Sequence, residues 1–183
     1  NAMRDHAPLG KLIASNMKKG ILIDDDITNS LVKDKLAKIK TGYILDGYPR
    51  TVKQGEFLEK IANIDIVVNF VLDEKIIIKK TLGRRTCSQC GETYNVTNIK
   101  IGKINMPPLL PKKSGICDKC GGQIVQRADD NEKTIKDRIA VYKKQSEPLL
   151  KRYRKQKLIM DVEVVGPPDV MIQIILKQIG DRK

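Results

Sequence analysis

"GYILDGYPRTVKQ", residues 42–54, opens as a buried strand and closes as a polar loop. Ile44 and Leu45 read as a short core strand. Asp46-Gly47-Tyr48-Pro49-Arg50 then sets a carboxylate, a bare backbone, a fixed turn and a guanidinium side by side. Polar equipment of that density where a core strand ends calls for a ligand or a reaction.

Outward from this stretch the chain alternates between α and β signals. Residues 9–40 are helix-prone and charged, interrupted by "GILIDDD" at 20–26. Thr51 to Ile61 reads as a helix with Val52, Phe57, Leu58 and Ile61 for its buried side. "DIVVNFVL", 65–72, is nearly all apolar and β-branched, the pattern of a strand covered on both faces. Residues 73–83 read as helix despite Ile76-Ile77-Ile78. From 86 to 126 periodicity fades and all four cysteines occur. Helix returns at 131, where Asp129 with Glu132 resembles a capping box. Ile135, Ile139 and Tyr142 supply its apolar spacing, and Pro148 is expected to bend or end it. "KLIMDV", 157–162, reads as a last strand. Pro168 starts a final helix through Val170, Ile172, Ile174, Ile175 and Ile179. The expected fold is α/β, a three-layer parallel sheet with helices on both faces and an inserted irregular segment.

Composition narrows the partners. The 183 residues carry 35 Lys+Arg against 22 Asp+Glu, a formal charge of +13, which favours anionic partners. There is no Trp, and five Tyr and two Phe make a poor stacking platform for single-stranded nucleic acid. No apolar run approaches the roughly 20 residues of a membrane span, and no secretory leader opens the chain. A cytoplasmic or organellar protein is expected, not a secreted one. Asn1-Ala2 ahead of Met3 reads as a scar of expression, so the native segment is expected to start at Met3.

Cys87-Ser88-Gln89-Cys90 and Cys117-Asp118-Lys119-Cys120 are two C-x-x-C knuckles, followed by Gly91 and by Gly121-Gly122. Small residues there let backbone N–H groups turn toward thiolate sulfur. Cys87, Cys90, Cys117 and Cys120 suit one tetrahedral Zn²⁺ with no position open for catalysis, so the metal would be structural. Two disulfides or four idle thiols are the alternative. A zinc ribbon that binds nucleic acid also fits the knuckles and the charge, but it leaves "LDGYPR" and "QRADD" without a task.

"GYILDGYPRTVKQ", "GRRTCSQCGETY", "CDKCGG" and "QRADDNEKTIKDRI", in that order, resemble an adenylate kinase with a zinc-bearing lid. The resemblance runs from about Leu9 to Gly180. It implies a P-loop kinase-like core over 1–83, with an NMP-binding helical segment at about 9–40, a zinc-binding lid over 84–126, and the rest of the core over 127–183. It implies transfer of a phosphoryl group from ATP to AMP, with Mg²⁺ accompanying ATP. Gly47, Tyr48, Pro49, Arg50 and Gln54 would hold AMP: Gly47 by close backbone approach, Arg50 at the α-phosphate, Gln54 at the adenine edge. Asp46 would sit near the metal through water. Ile21, Leu22 and Ile23 match the backbone lining of the AMP pocket. Arg84, Arg127 and Arg138 match phosphate-contacting arginines, with Asp129 and Asp130 as their acidic partners. Thr93 and Tyr94 match lid residues near the ATP ribose and base. A strand end that delivers these groups to a nucleotide cleft answers the question posed by 42–54.

The chain departs from the family pattern in three places. Lys80 stands where a guanidinium usually stacks on the donor adenine, which opens GTP as a donor. "NVTNIKIGKINMPPLLPKK" makes a long stretch between the knuckles. No G-x-x-x-x-G-K-S/T phosphate loop occurs in the 183 residues. The sequence therefore leads us to expect a truncated kinase with little activity, or an inactive homologue with a binding role. With the first two strands of the family's sheet missing, the strands at 44–45 and 65–72 would be left with open edges. A swapped or edge-paired dimer is expected to close them.

Overall fold

The computed structural model describes residues 24–182; Ile21, Leu22 and Ile23 lie outside the described residues. By packing, the chain divides into two units. One holds the described residues up to Asp65 with Lys144–Leu158, the other Ile66–Lys143 with the chain from Ile159 onward.

In the first unit, α1 spans Asp25–Leu36 and α2 spans Val52–Ile61. The interruption at 20–26 proves to end in a helix start: Asp24 accepts the N–H of Asp26 at 2.9 Å and caps α1. Thr51 does the same for α2, accepting from Gln54 N at 3.2 Å. The face α2 buries is not the expected apolar one alone. Gln54, Gly55 and Leu58 are buried, while Val52, Phe57 and Ile61 are half-buried. Ile44 and Leu45 form no strand, and Ile44 is 95% exposed. Their β-propensity needed a ladder partner, and none runs beside them among the described residues.

The second unit is built on two parallel strands, β1 (Val67–Val71) and β7 (Ile159–Glu163), in register Val67↔Ile159 through Val71↔Glu163. The last helix, α5 (Pro168–Gly180), starts at Pro168 as read, and lays Met171 on Met160 and Val162 of the sheet. Its buried side runs through Met171, with Ile174, Ile175 and Ile179 packed around it, while Val170 and Ile172 turn outward. The opposite sheet face carries Asn69, whose Nδ2 donates to Asp161 Oδ1 at 2.6 Å. Val67, Val68 and Asn69 are half-buried, while Phe70 and Val71 at the strand's C-terminal end stay exposed.

Helix α3 (Glu74–Leu82) follows β1, capped by Asp73, whose carboxylate accepts from Lys75 N at 2.7 Å. Beyond Gly83 comes a small antiparallel sheet, β3 (Thr93–Asn95), β2 (Arg84–Cys87), β6 (Ile124–Val125), and a separate hairpin of β4 (Ile99–Ile101) and β5 (Ile104–Met106). The hairpin gives the long stretch between the knuckles a physical role. Ile99 and Met106, each 1% exposed, pack with Ile76 of α3, and Asn105 N donates to Val165 O at 2.8 Å just past β7.

Helix α4 (Glu132–Lys155) carries two corrections. Its start is capped by Asn131, whose Oδ1 accepts from Thr134 N at 2.9 Å, not by Asp129. Asp129 is instead drawn to arginines. Nor does Pro148 end the helix, which continues to Lys155 because Leu149 and Tyr153 beyond it are buried, and tertiary burial outweighs one lost backbone bond. Ile135 is buried as expected, but Tyr142 is 46% exposed.

Candidate functional site

In the first unit the stretch 42–54 is a loop tied to α1 and α2 by polar contacts. Gly47 has φ +73, the left-handed region that favours glycine, and a β-carbon there would lie 3.0 Å from Arg50 Nη2. Arg50 Nε donates to Gly47 O at 2.7 Å, which folds the guanidinium back over the turn. The Tyr48–Pro49 peptide is cis. Tyr48 Oη donates to Asn29 Oδ1 of α1 at 2.6 Å. Burial and the nearby Asp25 carboxylate push the Tyr48 phenol above its ordinary pKa. Gln54 takes Arg50 N–H on Oε1 at 2.7 Å and donates from Nε2 to Asp25 Oδ1 at 2.6 Å. Thr51 Oγ1 donates to the other Asp25 oxygen at 3.0 Å. From α4, Ser146 Oγ donates to Arg50 O at 2.9 Å. Asp46 is exposed.

Asp25, Asn29 and Thr51 were missed by sequence reasoning. Asp25 sat inside a run read only as an interruption, and its partner Gln54 lies 29 positions away. Nothing local marks such a pair.

In the second unit, three arginines meet two aspartates where β2 leaves α3 and where β6 leads to α4. Arg84 Nε donates to Asp130 Oδ2 at 2.9 Å and its Nη2 to Oδ1. The Asp130 side chain is wholly buried and that of Arg84 is 32% exposed. The hydrogen bond to Asp130 raises the Arg84 pKa against the opposing effect of burial. Arg127 grips Asp129 with two contacts of 3.0 Å, and Arg138 Nη2 reaches the same carboxylate at 2.7 Å. Burial works to raise the Asp129 carboxyl, but hydrogen bonds from Arg138 and Arg127 prevail and hold it at about 2. Arg127 and Arg138 keep 48% and 53% of their side chains exposed, so an anion from solvent can reach both.

The four cysteines converge as their spacing implied. Their sulfurs lie within 4.8 Å of one another, with Cys87 to Cys120 at 3.5 Å and Cys90 to Cys117 at 3.6 Å. Four sulfurs around a tetrahedral zinc with ~2.3 Å bonds lie ~3.8 Å apart, so this set could hold a metal ion and is compatible with zinc. Tyr94 of β3 is buried beside it, donating to Cys117 Sγ at 3.6 Å and accepting Asp118 N at 2.8 Å. Burial tends to raise the Cys117 thiol, but Tyr94 and the amides of Lys119 and Cys120 draw it down to about 6. Thr93 is exposed on the same strand, while Lys80 is half-buried near the end of α3, its carbonyl taken by Asn95 Nδ2 at 2.8 Å.

A parallel-stranded α/β unit with an inserted four-cysteine segment and an arginine–aspartate cluster fits the P-loop kinase-like fold. The adenylate kinase family model matches residues 1–158. An adenylate kinase of Thermoanaerobacter sp. (strain X514) is 35% identical over 187 aligned residues, covering 98% of this chain and 82% of the relative. One from Clostridioides difficile (strain 630) is 38% identical, covering 99% and 82%, and one from Geobacillus sp. (strain WCH70) is 41% identical, covering 85% and 70%. The chain belongs to the adenylate kinase family, whose members act on nucleotides as nucleoside monophosphate kinases. No helix among the described residues is long and apolar enough to cross a membrane.

Proposed function

We propose that the chain works on the reaction ATP + AMP = 2 ADP. Phosphoryl transfer depends on positioning and charge stabilisation, and the residues divide those tasks. Gly47, Tyr48, Pro49 and Arg50 shape the AMP site, Arg50 contacts the α-phosphate, and Gln54 reads the adenine edge. Arg84, Arg127 and Arg138 neutralise transferring phosphates, which must displace Arg127 and Arg138 in part from Asp129. Thr93 and Tyr94 serve the ATP side, Tyr94 through its strand backbone since its hydroxyl is spent on Cys117 and Asp118. Mg²⁺ would neutralise ATP oxygens, and Asp46, an exposed carboxylate, offers the hard oxygen it takes through water. Zn²⁺ held by Cys87, Cys90, Cys117 and Cys120 would be structural. Ile21, Leu22 and Ile23 line the AMP pocket in this reading. The four thiols in a metal arrangement fit a reducing compartment, cytoplasm or organelle.

The family match over residues 1–158, which spans the 42–54 motif, carries this reading. Nucleotide binding is the direct readout of these residues. Calorimetric titration should show Arg50→Ala weakening AMP by roughly 1.5–3 kcal/mol, the worth of a charge-assisted contact. Lys80→Ala should leave AMP nearly unchanged; equal losses would mean the register is wrong. Lys80 in place of a stacking guanidinium favours testing GTP beside ATP as donor. Nucleic-acid binding, the other reading of a +13 chain, would show steeply salt-dependent oligonucleotide affinity. The exposed Phe70 and Val71 on β1, which pairs only with β7 among the described residues, support edge pairing of two copies. Sedimentation showing a monomer at all concentrations would remove that.

A further inference from the structure

A glutamine carboxamide has two ends alike in shape and opposite in polarity, so a free side chain presents either by rotating. Gln54 is not free. Its Oε1 meets the backbone N–H of Arg50 at 2.7 Å, a group that only donates. Its Nε2 meets Asp25 Oδ1 at 2.6 Å, and a carboxylate only accepts. Turned over, the amide would set N–H against N–H and oxygen against oxygen. Asp25 is itself pinned by Thr51 Oγ1 at 3.0 Å and by its place in the first turn of α1. At 7% exposure Gln54 has little water to repair a wrong orientation.

These contacts use half of what the carboxamide offers. Oε1 keeps one lone pair and Nε2 keeps one N–H. We infer that Asp25 is a specificity-determining positioning residue: with the backbone N–H of Arg50 it fixes the polarity of Gln54, and so selects a 6-amino purine nucleotide and opposes a 6-oxo one. An adenine presents an N–H donor at its 6-amino group and an acceptor at N1, which match the remaining acceptor and donor. Hypoxanthine and guanine present an acceptor at O6 and a donor at N1, which a glutamine free to turn would match equally well. The inference rests on the proposed role of Gln54 at the AMP base.

The test titrates AMP and inosine monophosphate against the full chain and against Asp25→Asn, whose amide can donate as well as accept. The unsubstituted chain is expected to prefer AMP roughly tenfold or more, the discrimination typical of a bidentate base contact. Asp25→Asn removes one of the two contacts that fix the amide, so the ratio should fall part of the way toward parity while the Arg50 N–H keeps the remainder. A role confined to holding the loop in place would weaken both nucleotides alike and leave the ratio unchanged. That result overturns the inference while leaving the AMP site standing. No AMP binding by the unsubstituted chain would instead sink the AMP reading, and the inference with it. Asp25→Ser, whose hydroxyl also donates and accepts, provides the second variant if Asp25→Asn does not fold; the same ratio decides.

Discussion

Asp130 and Arg84 form a two-pronged ion pair in which the two partners are unequally exposed: the Asp130 side chain is at 0% and that of Arg84 at 32%. The inequality predicts unequal costs. Arg84→Ala strands a carboxylate with no access to water, which should cost about 3 kcal/mol. Asp130→Ala leaves a guanidinium that solvent can partly hydrate, and about 1 kcal/mol is expected. Urea unfolding of both variants measures the difference. Equal losses, or a larger one for Asp130→Ala, would show that the pair is not organised by this burial.

The neighbouring Asp129 should leave a mark on acid stability. Hydrogen bonds from Arg138 and Arg127 hold its carboxyl at about 2, below the ~3.9 of an unfolded aspartate. In that interval the unfolded chain binds the proton and the folded chain does not, so stability rises with pH. The contribution is complete above the unfolded value and disappears as pH falls through the folded one. Asp129→Asn should therefore show a shallower loss of stability between about pH 4 and 2 than the unsubstituted chain. Parallel pH profiles would mean that the arginines do not hold this carboxylate in solution.

Tyr94 offers a test of the metal reading that leaves all four thiols in place. Its hydroxyl donates to Cys117 Sγ and accepts from Asp118 N, so it orients one ligand and the knuckle behind it. Removing such an outer partner typically lowers metal affinity 10–100-fold. Purified protein should contain one zinc per chain by elemental analysis. Tyr94→Phe should release it to a chromogenic chelator faster, and Cys117→Ser should lose it. Metal-free protein as isolated, with both variants unaltered in melting, would refute the structural zinc.

What could be read from sequence was local. Thr51 and Pro168 marked their helix starts because such signals act over one turn, and the cysteine knuckles announced a set that could hold a metal because its members come in close pairs. Where a distant partner decides, the sequence misled. Ile44 and Leu45 had strand propensity but no ladder to join. Pro148 had the chemistry of a helix end but sits between buried packing positions. Asp129 had the spacing of a cap, yet two arginines claim it and Asn131 caps instead. The same holds in the 42–54 loop: the motif drew attention to Arg50 and Gln54, but nothing local pointed to Asp25, which holds the Gln54 amide.

The β4–β5 hairpin gives the sharpest case, because one strand carries its own control. Ile99 is 1% exposed, packed with Ile76 and Met106, while Ile101, two positions on, is 55% exposed. Alternation puts both on the same face of the strand, and Ile101 is exposed because it sits at the turn end of the hairpin, next to Gly102. Ile99→Ala should open a cavity beneath α3 and cost roughly 2–5 kcal/mol. Ile101→Ala, at the exposed turn end, should stay within about 0.5 kcal/mol. If the hairpin is a tethered ornament that unfolds by itself, Ile99→Ala will leave the global unfolding midpoint where it was. If it is part of the core, as its contacts with α3 and with Val165 after β7 require, the midpoint falls and hydrogen exchange quickens at Ile76 as well as at Ile99.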